Sequence, residues 1–177
     1  WSKLVPREIP FMAGDTILPE RVVYTEESVD LRLETTNLAP GLSMAGKPVQ
    51  YTRCKQAENL CREEGDSVFQ SSLKHLDLDF DSLYAPAVVL DFGRIVTAHV
   101  KISLDGVAGG IIDIGYTERL LDGRFNICVD GAAIADRYTM KDGPQEFEPF
   151  TWKAFRFLNL RFRSCLRPVT VHGVHAI

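Results

Sequence analysis

Residues 96–104 read VTAHVKISL, and this stretch decides the fold class. Val, Ala, Val, Ile and Leu occupy every second position, and Thr, His, Lys and Ser occupy the positions between them. Successive side chains of a β-strand point to opposite faces of a sheet, so this alternation predicts a strand with one face in a core. The turn-forming pair Asp105-Gly106 follows, which predicts that the chain reverses there.

The rest of the C-terminal half repeats this pattern. Residues 111–117 (IIDIGYT) and residues 169–171 (VTV) alternate in the same way. Residues 154–163 (AFRFLNLRFR) change phase at Leu158 and Asn159, and one extra residue in a strand predicts a β-bulge. The predicted core consists of the residues in the inward phase: Val96, Ala98, Val100, Ile102, Leu104, Ile112, Ile114, Phe155, Phe157, Leu160 and Phe162. The pattern predicts a mainly β protein, an antiparallel β-sandwich of short strands.

The N-terminal half is less regular. Prolines punctuate residues 1–25, which predicts an extended connecting segment before a sandwich module at 26–177. Residues 53–64 (RCKQAENLCREE) have helical spacing and are followed by a glycine. Residues 67–70 then resemble a capping box, so we expect a small helical insertion at about 53–76.

Composition limits the possible classes of protein. The chain has 177 residues, of which 45% are apolar and 25% charged, so it can bury a core without a metal or disulfide. Its apolar stretches fall far short of the roughly 20 residues that span a bilayer. The net charge of −4 disfavours a nucleic-acid partner.

The last thirty residues are rich in cations and contain no acid after Glu148. The cations are Lys153, Arg156, Arg161, Arg163 and Arg167. They fit either the solvated face of a strand pair near acidic segments, or an anion site or contact with a neighbouring domain.

Motifs for catalysis or metal binding are weak. Asp77, Asp79 and Asp81 resemble the opening of a calcium loop, but an EF-hand also needs Gly and Glu where Ser82 and Val88 stand. A looser, structural calcium site stays open, and no other cofactor is predicted. Glycoside hydrolysis needs two carboxylates, and nothing in the sequence pairs candidates such as Glu118 and Asp136. The sequence therefore predicts no catalytic residue.

The order of several short motifs carries a family resemblance. Asp91-Phe92-Gly93 precedes the long strand, and residues 104–109 (LDGVAG) form the predicted hairpin. Residues 115–124 (GYTERLLDGR), 135–139 (ADRYT) and 147–157 (FEPFTWKAFRF) follow. Together these motifs resemble the concanavalin-like β-sandwich module of bacterial α-L-rhamnosidases. The resemblance implies an antiparallel β-sandwich of jelly-roll, galactose-binding-like or concanavalin-like type. The resemblance covers residues 84–177 well, residues 1–25 loosely and residues 26–83 poorly.

The resemblance has consequences for function. It implies a non-catalytic module of a multi-domain glycoside hydrolase whose catalytic acids lie on an (α/α)₆ barrel of the same polypeptide, and a periplasmic or secreted location. A rhamnose-containing glycan is then a possible partner, with candidate ligand-binding residues at Glu118, Asp136, Trp152 and Arg156. We expect Arg156 to pair with Glu118 or Asp136. Two alternatives stay open, an independent carbohydrate-binding module and an autonomous hydrolase.

The sequence also departs from the family pattern. Arg94-Ile95 stands where the family usually has Gln-Asn, and Ala98-His99 stands where it has Gly-Trp. Lys153-Ala154 replaces His-Gly before the Phe-Arg pair. These departures indicate a divergent member and leave the sugar undefined.

Overall fold

The computed structural model describes residues 14–30, 47–48, 53–76, 80–129 and 132–177. Within these ranges the chain forms fourteen β-strands and one short 3-10 helix. The strands are β1 Arg21–Val29, β2 Lys47–Pro48, β3 Cys54–Lys55, β4 Ser67–Phe69, β5 Ser72–Leu76, β6 Phe80–Ala98, β7 Val100–Gly106, β8 Ile111–Thr117, β9 Cys128–Val129, β10 Ala132–Ala133, β11 Ala135–Thr139, β12 Gly143–Phe147, β13 Lys153–Arg163 and β14 Val169–Ala176. The 3-10 helix is Ala57–Cys61.

The strands form two antiparallel sheets. The seven-stranded sheet has the order β11-β8-β13-β6-β1-β2, with β5 also paired to β6. The five-stranded sheet has the order β12-β7-β14-β4-β3, and β9 and β10 form a separate ribbon. The predicted antiparallel β-sandwich is therefore confirmed. No helix in the described ranges is long and apolar enough to cross a membrane.

The main core contains side chains from both sheets. Phe69 of β4 stacks on Phe162 of β13 with ring centroids 4.2 Å apart, and Phe92 meets Phe155 edge to face at 5.3 Å. All residues of the predicted core are buried. Phe157 is buried outside the main core, because it packs in a second apolar cluster with Val89, Phe125 and Ile127.

The long alternating stretch 96–104 turns a corner between the sheets. β6 ends at Ala98 in one sheet and β7 begins at Val100 in the other, with His99 between them. Burial nevertheless alternates without interruption, so the chain changes sheet while its inward phase stays the same. The prediction of one continuous strand was wrong here, because side-chain periodicity reports which face is buried and not which strands are paired.

The predicted β-bulge is present but displaced. Along β13, Phe155 pairs with Val96 of β6, whereas Phe157 pairs with Asp91, so the extra residues belong to β6. Gly93 lies in this irregular stretch with φ of 74°, and a Cβ there would come within 2.1 Å of the Glu20 carboxylate. The register between β13 and β8 is regular past Leu158 and Asn159, so the phase change precedes those residues.

The insertion at 53–76 is mostly not helical. Only Ala57–Cys61 forms a helical turn, and the predicted second helix is replaced by β4 and β5. The Ser67 hydroxyl donates to the Gln56 carbonyl oxygen at 2.8 Å and caps no helix. β4 pairs with β14, so tertiary pairing overrides the local helical spacing.

The N-terminal residues that the structure describes belong to the sandwich. Ile17 forms an isolated bridge to Ala176, with backbone hydrogen bonds of 2.8 and 2.9 Å. β1 begins at Arg21, so the predicted boundary after residue 25 falls inside a strand. The division between connecting segment and module stays a prediction, because residues 1–13 lie outside the described ranges, as do residues 31–46.

Candidate functional site

Asp136 is part of a compact ion pair at the edge of the core. Its carboxylate accepts a hydrogen bond from the Tyr116 hydroxyl at 2.8 Å and lies 2.7 Å from Lys153 Nζ. The same Nζ lies 5.1 Å from the centre of the Tyr116 ring. Burial raises the pKa of Tyr116, and the Asp136 charge raises it further, so the phenol stays protonated and donates. Asp136 is therefore already bound by protein groups.

Arg156 pairs with Asp91 and with neither predicted acid. Its Nε and Nη2 donate to the Asp91 carboxylate at 2.8 and 3.1 Å, and Arg21 donates to it at 2.8 Å. The Gly93 amide also donates to Asp91 at 2.8 Å, the bond by which an aspartate side chain commonly stabilises a turn two residues on. Burial alone would raise the pKa of Asp91, but the bonds from Arg156, Gly93 and Arg21 hold it below its usual range. The expected pairing of Arg156 with Glu118 or Asp136 was wrong, because the irregular stretch of β6 brings Asp91 beneath Arg156.

The four predicted ligand residues do not form one cluster of mutual contacts. Glu118 is exposed just after β8, and Trp152 is exposed just before β13. Asp136 contacts Lys153, the residue after Trp152, whereas Arg156 contacts Asp91. A ligand role for these residues therefore stays a prediction.

A metal centre is not apparent in the part of the chain that the structure describes. No group of three or more His, Cys, Asp or Glu side chains there could hold an ion. Asp77 and Asp79 of the calcium-like pattern lie outside the described ranges. The calcium prediction is therefore neither supported nor contradicted.

Sequence reasoning missed a cleft between β1 and the 3-10 helix. Its volume is about 510 Å³, and it is lined by residues 20–25 on one side and by Glu58, Cys61 and Arg62 on the other. Tyr24 in this wall accepts a hydrogen bond from the Phe125 amide at 2.8 Å and lies under the Arg124 guanidinium. Burial raises the pKa of Tyr24. The lining comes from the predicted connecting segment and the predicted helix, two segments that no local sequence pattern places together.

A row of charges crosses the outer face of the seven-stranded sheet. Five residues paired in register across β1, β6, β13, β8 and β11 form this row, and all but the alanine are charged. In strand order they are Glu26, Ala87, Arg161, Asp113 and Arg137. Arg161 donates to Glu26 at 2.9 Å, and Arg137 donates to Asp113 at 2.6 and 2.9 Å. The side chain of Ala87 is small, so the guanidinium of Arg161 reaches the Glu26 carboxylate across β6. Burial lowers the pKa of Arg161, and the charges of Glu26 and Asp113 oppose that effect.

A second arginine reinforces this row. Arg163 donates to Asp30 at 2.7 Å and to Asp113 at 3.1 Å, and the Ser164 amide donates to Asp30 at 2.9 Å. Arg161 and Arg163 are both buried, so the expectation of a solvated cationic face was wrong for these two residues. The acids that bind them come from β1, the segment after it and β8, which local sequence cannot reveal.

Comparison with known proteins identifies the domain type. The profile of the bacterial alpha-L-rhamnosidase concanavalin-like domain matches residues 83–176, just over half of the chain. A search of curated protein sequences finds no match.

Solved structures show the same fold. The GH78 family rhamnosidase of Bacillus sp. GL1 superposes with a TM-score of 0.54 at 20% identity, covering 74% of this chain and 12% of the enzyme. The rhamnosidase from Klebsiella oxytoca, solved with rhamnose bound, gives a TM-score of 0.50 at 12% identity, covering 91% of this chain and 28% of that one. This chain thus spans only a small part of either enzyme's length.

The profile match lies on the strands that build the sandwich. It runs from Leu83 in β6 to Ala176 at the end of β14, and it includes Asp91, Asp136 and Arg156. The chain therefore belongs to the family of concanavalin-like domains of bacterial alpha-L-rhamnosidases.

Proposed function

We propose that this chain is a non-catalytic module of a multi-domain, α-L-rhamnosidase-like glycoside hydrolase. In this proposal the sandwich supports or orients a catalytic (α/α)₆ barrel in the same polypeptide. The family match over residues 83–176 carries the proposal. The short share of the Bacillus enzyme that the chain covers, 12%, is in keeping with one module among several.

The state of the acids supports a structural role. Hydrolysis of a glycoside needs an acid and a base or nucleophile roughly 5–9.5 Å apart around the sugar. Asp91 and Asp113 are buried against arginines, which occupy their carboxylate oxygen atoms. Asp136 is bound by Tyr116 and Lys153. These acids therefore stabilise the sandwich and are not free to act on a substrate.

The test is an activity assay on the 177-residue chain. We expect no hydrolysis of an aryl α-L-rhamnoside or of a panel of other aryl glycosides. Circular dichroism with a dominant β signal would verify that the assayed protein is folded. Hydrolysis that disappears in Glu118→Gln or Asp136→Asn would overturn the proposal and assign catalysis to the sandwich.

The cleft beside β1 favours a second candidate, an independent carbohydrate-binding module. Its volume of about 510 Å³ lies within the range typical of small-molecule sites. Glu58 and Arg62 offer an acceptor and donors for sugar hydroxyls, and both line the cleft.

A glycan array that includes rhamnose-containing glycans tests this candidate. Binding that is lost in Glu58→Gln with Arg62→Gln, but kept in Glu146→Gln on the five-stranded sheet, would support it. A folded chain that binds no glycan would exclude it for the glycans tested.

A further inference from the structure

The loop between β12 and β13 exposes two aromatic rings. Phe150 is 97% exposed and Trp152 is 58% exposed, and a single residue separates them. The neighbouring Pro149 is buried, and the Lys153 side chain is only 11% exposed. Clustered exposed apolar side chains commonly mark an interaction site.

The backbone of this loop is fixed on both sides of the rings. His99 Nδ1 lies 2.9 Å from the Pro149 carbonyl oxygen, to which it donates in the tautomer protonated at Nδ1. Lys153 Nζ donates to the carbonyl and hydroxyl oxygens of Thr151 at 3.0 and 2.9 Å and pairs with Asp136. A surface held in one conformation before binding loses little entropy when it binds.

The end of β14 lies at the same corner of the sandwich. The Ile177 amide donates to the His99 carbonyl oxygen at 2.9 Å, and the His99 amide donates to Ile177 at 3.0 Å. His99 therefore connects Ile177 to the aromatic loop. We call Phe150, Trp152 and Ile177 the corner patch. Residues that followed Ile177 in a longer polypeptide would leave the sandwich beside the two rings.

We infer that the corner patch is the docking surface for another domain of the same polypeptide, which receives Phe150 and Trp152 in an apolar pocket. This inference rests on the proposed function and names the surface that performs it. Buried aromatic anchors dominate the binding energy of many protein interfaces. A domain tethered near Ile177 would meet the patch at a high effective concentration.

The geometry favours a protein partner over a sugar. A sugar site is typically concave and offers polar groups that are free to bind hydroxyls. Phe150 projects almost fully into solvent, and the nearby polar groups of Lys153, Thr151 and Asp136 are bonded to one another. A protruding ring beside satisfied polar groups fits a pocket on a partner.

The experiment compares the full-length parent protein with the 177-residue chain by hydrogen exchange. We expect amides of residues 150–153 to exchange roughly tenfold more slowly in the parent. The double variant Phe150→Ser, Trp152→Ser should remove that protection. Leu166→Ser is the matched control, because Leu166 is 65% exposed in the turn after β13, at the other end of that strand.

Each alternative outcome has its own meaning. Equal protection in the parent, the double variant and the Leu166→Ser control would overturn the docking surface and leave the module role in place. A parent without a further domain would overturn both. Self-association of the 177-residue chain that the double variant abolishes would assign the patch to a second copy. Glycan binding by this chain that Trp152→Ser abolishes would assign the patch to a sugar.

Discussion

The outer faces of the two sheets both carry ion pairs, but only one set is buried. On the seven-stranded sheet the side chains of Arg161 and Glu26 are each 3% exposed and lie 2.9 Å apart. On the five-stranded sheet Lys101 and Glu146 lie 3.0 Å apart with 33% and 61% of their side chains exposed. Each pair joins a cation to a glutamate at nearly the same distance, and the two pairs differ most in how far water reaches them.

This difference in burial changes what each ion pair contributes to the stability of the fold. An exposed pair typically contributes at most about 1 kcal/mol, because water solvates both ions almost as well. A buried pair loses hydration, so each ion depends on its partner. The buried row joins Glu26 to Arg161, which are 135 residues apart in sequence, and so holds the first and the penultimate long strands in register. Because the pair is buried, an arrangement of strands that separated the two ions would be strongly disfavoured.

The largest effect should come from a buried charge without a partner. Val100 is fully buried between the sheets, so Val100→Asp places a carboxylate among apolar side chains. We expect the free energy of unfolding to fall by at least about 4 kcal/mol, measured by chemical denaturation. A change within about 0.5 kcal/mol would mean that this face is not the core.

Removing one partner from the buried row should have the next largest effect. Arg161→Met removes the buried cation beside Glu26, whose other arginine partner, Arg124, is 42% exposed, and we expect a loss of about 3–5 kcal/mol. The matched control Lys101→Met on the exposed face should cost less than about 1 kcal/mol.

A double-mutant cycle sharpens this prediction. Glu26→Met combined with Arg161→Met should cost less than the sum of the two single changes, because the contact between these two buried ions can be lost only once. Additive costs would show that the two side chains do not depend on each other.

Asn159 allows a test of what an unsatisfied buried polar side chain costs next to the row of charges. Its side chain is fully buried between Phe157 and Arg161 on β13, and neither atom of its side-chain amide has a hydrogen-bond partner in the described part of the chain. Asn159→Leu should raise the free energy of unfolding by about 1 kcal/mol, because an unsatisfied buried amide is costly. Asn159→Asp should lower it. A less stable leucine variant would indicate that an internal water satisfies the amide.

The exposed face should show the smallest effect, and one that depends on pH. His172 lies 2.7 Å from Asp66 and 3.4 Å from Asp105. The hydrogen bond with Asp66 raises the pKa of His172 despite partial burial, and Asp105 raises it further. The protonated form is therefore favoured by folding, so its contribution is complete below the unfolded pKa of about 6.5 and disappears as the pH rises through the higher folded pKa.

The check is the difference in Tm between the wild type and His172→Gln. This difference should be largest near about pH 6 and should shrink towards about pH 9. Added salt should reduce it at the acidic end, because exposed charges are screened. A difference that grows with pH would contradict the assignment.

The sequence predicted which apolar residues are buried more accurately than it predicted the partners of the charged residues. The alternation in 96–104 survives the corner at His99, because the inward phase depends only on neighbouring residues. The row from Glu26 to Arg137 depends on the register of five strands, so nothing near Arg161 could reveal its partners.

The candidate site shows the same limit. Arg156 lies in β13 and Trp152 lies just before it, yet Arg156 contacts a buried carboxylate and Trp152 is exposed to solvent. The irregular stretch in β6 decides the contact of Arg156, and its cause lies more than sixty residues away in sequence. The helix expected at 53–64 forms only at Ala57–Cys61, since Cys54 and Lys55 pair with β4 as strand β3.

The hydrogen bonds between Ile17 and Ala176 have a consequence for chain connectivity. Gly14 lies against the backbone of Ile177, so the two ends of the described path are neighbours. Adjacent ends allow a circular permutation, in which a short linker joins residues 177 and 14 and new ends open elsewhere. Asp122 and Gly123 form an exposed turn suited to the new ends. The order of strands along the gene is thus separable from the order of strands in space.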